Sequence, residues 1–157
     1  MILRWEQGRA LVDGLIVDNR LQRVPANAEL AHSYLDQSRA HLDVSEANVE
    51  RDPIGSFQLA YDAARKALAS LLLMQGLRPT SSGGHIAVYD AVLAQFGTGV
   101  MTETIRPFAS MRRLRNTTEY PSLDQPVATD DDARRAQAQA RAMLEMSERL
   151  IDQLPVY

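Results

Sequence analysis

The chain has 157 residues, 45% of them hydrophobic, a formal net charge of −3, three histidines and no cysteine. That length suits one domain with a core of its own, and the apolar content is too high for a disordered chain. Disulfide frameworks and thiolate metal sites are excluded, and the acidic balance means that any nucleic-acid binding must come from a local patch.

Residues 1–25 read as an N-terminal extension to a helical bundle over residues 26–157. Arg4, Glu6 and Arg9 interrupt the apolar residues at the start, so there is no signal-peptide core and a cytoplasmic location is expected. Leu3, Leu11, Leu15 and Ile16 line a short helix weakened by Gly8 and Gly14. Leu21 and Val24 follow as a short extended piece ending at Pro25, and Trp5 is expected to anchor the arm to the bundle or to a second protomer.

Over residues 28–51, Leu30, Tyr34, Leu42 and Val49 recur near helical spacing behind Asn27 as N-cap. Asp52-Pro53 restarts the chain as N-cap and first helical residue. Phe57, Ala60, Tyr61, Ala64, Leu68, Leu71 and Leu72 then form a clean helical stripe, ended by Gly76 as a left-handed C′ residue. The longest apolar runs, such as Ala69-Ser70-Leu71-Leu72-Leu73-Met74, fall far short of the ~20 residues that span a bilayer.

A loop over residues 78–84 leads to a shorter helix with Ile86, Tyr89, Val92, Leu93 and Phe96, stopped by Gly97. The Thr80–Gly84 part of that loop precedes a helix and could hold an anion, but lacking a Gly-Lys-Ser/Thr ending it reads first as a flexible connector. Thr102 is expected to cap the next helix, whose apolar side is Phe108, Met111 and Leu114, with Pro107 as a kink or its first turn. Pro121 and Pro126 bracket a loop, and residues 129–132 cap a last long helix lined by Ala133, Ala136, Ala140, Met143, Leu144, Ser147, Leu150 and Ile151. No segment alternates with period two over a strand's length. The expected fold is all-α, an antiparallel four- to five-helix bundle, with Phe57, Tyr61, Tyr89, Phe96 and Phe108 in the core.

The chemistry concentrates in Met111-Arg112-Arg113-Leu114-Arg115-Asn116-Thr117-Thr118-Glu119-Tyr120. On a helix, Arg112 and Arg115 share a face, as do Arg115 and Glu119, and Asn116 and Tyr120. Guanidinium forks suit bidentate capture of phosphate; the plainer reading is a solvated face with an Arg115–Glu119 ion pair. His85 opens a helix, where the positive end of the dipole would keep it neutral, or where it simply caps or packs. Glu29 and His32 have the spacing of di-iron bundles, but no second copy exists, so no metal site is expected.

Taken in order, the first long helix, the Pro-started helix with Tyr61-Asp62-Ala63-Ala64-Arg65-Lys66-Ala67, the Gly-rich loop into Gly84-His85 and the Arg115-Asn116-x-x-Glu119-Tyr120 segment resemble the HEPN superfamily. The resemblance covers residues 28–154 and implies a small helical bundle of a toxin–antitoxin, stress or defence system. Active HEPN ribonucleases are metal-independent dimers using an Arg, a polar residue and, between one and two helical turns further on, a His. Arg115 and Asn116 fit the first two, and position 120 is Tyr, a poor general base at neutral pH. The implied catalytic set is Arg115, Asn116, Glu119 and Tyr120, with Arg112, Arg113 and His85 as RNA- or phosphate-binding groups and no cofactor or metal. In an active protein, Arg115 would steady the scissile phosphate, Asn116 would orient it, and Tyr120 or His85 would assist proton transfer. The implied partners are a second copy of the chain, RNA or a nucleotide, and a nucleotidyltransferase-type protein. The alternative is a non-catalytic helical module in which Glu119 and Tyr120 are structural.

Overall fold

The computed structural model describes residues 6–157. Leu3, Arg4 and Trp5, with the anchoring expected of Trp5, lie outside them. The centre is a hairpin of two long helices, α2 (Ala28–Asn48) and α3 (Pro53–Met74), against which α7 (Asp130–Leu150) packs. Their ends follow from the sequence. The Asn27 side chain accepts from the Leu30 N–H, and the Asp52 side chain accepts from the Gly55 N–H ahead of Pro53 at the first position. Gly76 sits at φ +77° past the end of α3. Thr129 and Asp132 cap α7 reciprocally, with Asp130, Asp131 and Asp132 in its first turn.

The helix α3 is buried nearly all round, including every residue of its expected stripe, because α2, α7, α4 (Gly84–Phe96) and α6 (Pro107–Glu119) all lie against it. A short helix α5 (Val100–Ile105) joins α4 to α6 and touches α7. The helix α1 (Arg9–Val17) packs on α4, and its Val12 and Leu15 join the common core. The result is the expected all-α bundle, and no helix among the described residues is long and apolar enough to cross a membrane.

Several local expectations are corrected. The buried face of α2 is Ala31, Leu35, Ser38, Leu42, Ser45 and Val49; Leu30 is 39% exposed and Tyr34 only half-buried. The stripe is turned because two serines take core positions. Ser38 donates to the Ala63 carbonyl and Ser45 to the Ser56 carbonyl, which brings the α2 and α3 backbones close with their polar groups satisfied. On α1 Val12 packs inward together with the expected Leu15, and Leu11 faces out. Ile86 likewise lies at the surface, and Ala87, Val88 and Ala91 take the core side of α4. Thr102 lies inside α5 and caps nothing, since α5 begins at Val100 and Pro107 opens the first turn of α6.

The extended piece expected at Leu21 to Val24 forms one strand of a small ribbon, and its partner strand was not expected. Strands β1 (Leu21–Arg23) and β2 (Leu77–Pro79) pair antiparallel, with Gln22 opposite Arg78. The loop after β2 is not a loose connector. Thr80 and Ser82 both donate to the Asn19 carbonyl, and Thr80 Oγ1 accepts from the Gly83 N–H. Gly83 runs so close to this turn that a Cβ there would sit 1.9 Å from the Arg20 carbonyl oxygen.

One buried bond makes a direct test of the α2–α3–α7 seam. Ser45 Oγ donates to Ser56 O at 2.6 Å and accepts from Gln137 Nε2 at 2.9 Å, with Ser45 fully buried. Ser45→Ala leaves both partners without it, so a loss of about 1–3 kcal/mol is expected in urea unfolding. A change below a few tenths would mean that the seam relaxes around the missing hydroxyl.

Candidate functional site

The site is built on α6. Pro107 starts this helix, and Phe108, Met111 and Thr118 turn inward. That register leaves Arg112 and Arg115 half-buried along one flank and Arg113 exposed. Among the described residues none of these three arginines has a carboxylate partner, whereas Arg39, Arg65 and Arg141 are all ion-paired. Arg113 donates to Ser110 instead. The Arg115 guanidinium lies 5.9 Å from the centre of the Tyr61 ring and reaches Asn116 Oδ1 at 3.5 Å.

Tyr61 comes from α3 and is 3% exposed. Its ring stacks on Phe108, with centroids 5.3 Å apart, and Phe108 stacks in turn on Tyr89. The Tyr61 hydroxyl meets His85 Nδ1 at 2.6 Å. A buried phenol needs an acceptor for its single proton, and among the described residues Nδ1 is the one in reach. Tyr61 therefore donates, which puts the ring proton of His85 on Nε2.

Both groups are held neutral. Burial pushes the Tyr61 phenol up to about 12, against the opposing pull of Arg115, Arg112 and Arg65. Burial pushes His85 down to about 4, and Arg65, Arg115 and Arg112 add to the same effect. Three guanidinium groups thus converge electrostatically on one neutral imidazole. The causes that favour the neutral imidazole at His85 are desolvation and arginine charge, and not the helix dipole. The cap position of α4 belongs to Gly83.

Beside this pair lies an ion cluster. Asp62 accepts from Arg65 through both Nε and Nη2, and its other oxygen is 3.1 Å from Lys66 Nζ and 3.2 Å from His41 Nε2. Burial works against the Asp62 carboxylate, but Arg65 and Lys66 more than offset it and hold its carboxyl below the usual range. Arg65 and His85 also form one wall of a cleft of about 380 Å³ between α2, α3, the ribbon and the start of α4.

Of the residues singled out in sequence, Arg112, Arg115 and His85 come together around Tyr61, and Asn116 touches Arg115. Glu119 turns to Gln58, whose side-chain amide donates to it at 2.9 Å, and no Arg115–Glu119 pair forms among the described residues. Tyr120 caps the C-terminus of α6 and is 73% exposed. Tyr61, Arg65 and Asp62 enter the site from outside the arginine segment. Their signal was present as polar groups on one turn of an otherwise apolar helix. His32 pairs with Asp152, and no His, Cys, Asp or Glu cluster among the described residues could hold a metal ion.

The depressed His85 gives a pH signature. Between its ordinary 6.5 and about 4, the unfolded chain binds a proton at this residue and the folded chain does not. Stability from this group is therefore full above pH 6.5, falls as pH drops towards 4, and levels off below. The expected loss is about 1–2 kcal/mol, less than the whole shift implies because solvent reaches part of the ring. His85→Asn should flatten that part of the stability profile; parallel profiles would mean that His85 is not held neutral.

The HEPN domain model matches residues 31–150, which takes in the Tyr61–His85 pair and all three α6 arginines. No curated protein and no solved structure matches the chain.

Proposed function

Because the chain belongs to the HEPN family, we propose that it binds RNA or a nucleotide by capturing phosphate on the face of Arg112 and Arg115, as part of a toxin–antitoxin, stress or defence system. The observation that carries this reading is a pair of half-buried arginines with no carboxylate partner among the described residues, set beside a neutral imidazole. Each guanidinium offers a bidentate fork, and His85 Nε2–H offers one more donor towards an anion. The same tautomer argues for holding RNA over cutting it. Nε2 already carries a proton, so it cannot take one from a ribose 2′-hydroxyl, and Tyr120 is exposed at a helix end. HEPN domains commonly dimerise, and a second copy would set two such faces side by side, in the cytoplasm on this reading.

The test is binding and cleavage of a fluorescent single-stranded RNA with divalent metal chelated, comparing wild type with Arg112→Ala, Arg115→Ala and Tyr120→His. Arginine-dependent binding without cleavage is expected. Arginine-dependent cleavage by wild type would make the protein a metal-independent endoribonuclease, and binding unchanged in both arginine variants would overturn the reading.

A second reading rests on a different observation. Tyr120 and Leu123, in and after the cap of α6, are 73% and fully exposed. Apolar side chains there suit a protein contact, with a nucleotidyltransferase-type partner as the candidate. Intact mass after co-expression with such a partner, and co-purification, test this contact separately from RNA.

A further inference from the structure

Two α2 residues outside its fully buried face line the cleft. Leu30 is 39% exposed and Tyr34 is partly buried against the core, and both line the cleft of about 380 Å³ with Leu73 of α3 and Val88 of α4. That volume lies in the range of small-ligand sites, and its walls are mainly apolar with one aromatic ring. No acidic side chain among the described residues lines it. Its charged groups are Arg65 and Arg78, and His85 also lines it. Arg65 gives Nε and Nη2 to Asp62, leaving Nη1 without a hydrogen bond among the described residues. The polar edge of this cleft is therefore rich in donors.

Arg65 and His85 line the cleft, and His85 also meets the hydroxyl of Tyr61, whose ring centre lies 5.9 Å from the Arg115 guanidinium. The cleft is therefore next to the phosphate face. A ligand that fills both has an anionic group, then a flat apolar body with acceptor atoms on its edge. We infer that the cleft takes one unstacked nucleobase of the RNA strand whose phosphate sits on the Arg112–Arg115 face. This rests on the function proposed above and adds a subsite to it. The base lies against Tyr34, Leu30 and Leu73 with its carbonyl and ring-nitrogen acceptors towards Arg65 and Arg78. A base paired in a duplex cannot enter, so the site selects single strands.

The experiment uses the full chain and a fluorescent RNA of about ten nucleotides, intact or with every base removed, and the duplex of the intact strand. The intact strand is expected to bind about tenfold more tightly than the abasic strand, with the duplex near the abasic level. Ala69→Leu, which pushes a larger side chain into the cleft from α3, and Tyr34→Ala, which removes the ring, should each bring the intact strand to the abasic level. Two variants on different helices guard against one that fails to fold. Equal affinity for intact and abasic strands, both lost in Arg112→Ala/Arg115→Ala, overturns the cleft and leaves the phosphate face standing. No binding of any strand by wild type overturns both. Displacement of the strand by a nucleoside monophosphate at equal concentration would assign the cleft to a free nucleotide and overturn the inference as stated.

Discussion

Replacing Phe108 by Ala is expected to cost about 3–5 kcal/mol of folding stability. Its ring is fully buried and carries Tyr61 on one side at 5.3 Å and Tyr89 on the other at 6.0 Å. The substitution forfeits the burial of the ring, leaves a cavity between α3, α4 and α6, and breaks two stacked contacts. Against a total of about 5–15 kcal/mol for a domain, that is at least about a fifth of the stability. With a denaturant slope near 2 kcal/mol/M, the urea midpoint should fall by about 1.5–2.5 M. Phe108→Leu keeps most of the volume and should recover more than half of the loss. The consequence reaches the site, because Phe108 is the floor under the Tyr61 ring that orients His85. A loss below about 1 kcal/mol would show that Tyr61 and Tyr89 close over the gap, and that this floor is softer than its packing indicates.

The same contrast between clean apolar spacing and mixed composition decides what can be read from the sequence. The helix α3 reads residue by residue, since its stripe is made of Phe, Tyr, Ala and Leu and its ends carry Asp52-Pro53 and Gly76. The face of α2 does not, because Ala31, Ser38 and Ser45 hold half of its core positions, while larger Leu30 and Tyr34 face the cleft. Small polar residues give no hydrophobic signal, yet they are what let two helices approach when their hydroxyls find backbone carbonyls. The pairing of β1 with β2 escapes for another reason. Each strand has three residues, Arg78 and Pro79 are poor strand formers, and the partner lies far along the chain.

At the site, helical spacing alone placed Arg112 and Arg115 on one flank of α6, because that inference stays within a turn. What surrounds them depends on packing between helices. Tyr61 looked like core and is core, but its hydroxyl sits where α4 begins, and only the α3–α4 contact brings it to His85. Glu119 illustrates the reverse. Its spacing favours a pair with Arg115, yet Gln58 on α3 is nearer once the helices pack. Local periodicity orders residues on one helix; it carries no information about which neighbour faces them.

The double substitution Arg112→Ala/Arg115→Ala should produce the largest loss of RNA affinity. A charge-assisted hydrogen bond to phosphate contributes about 1.5–3 kcal/mol, so each arginine alone should cost about 10- to 150-fold. The pair should lose less than the product if both hold one phosphate. Folding stability should hardly change, because neither arginine has a carboxylate partner, among the described residues, that its removal would strand. Arg113→Ala, on the exposed side with Ser110, should shift affinity by less than about threefold. A featureless basic patch would instead lose similar affinity at all three positions. Each lost phosphate contact should also flatten the salt dependence by about 0.7 in log–log slope. A second readout follows from His85. Arg115 and Arg112 help to hold its imidazole near 4, so the double variant should titrate closer to 6.5 by NMR. Phosphate bound on the same face should move it the same way, because an anion offsets that arginine charge, and affinity should therefore rise as pH falls from 6.5 towards 4. If RNA binding leaves the His85 titration unchanged, the strand is held somewhere other than the Arg112–Arg115 face.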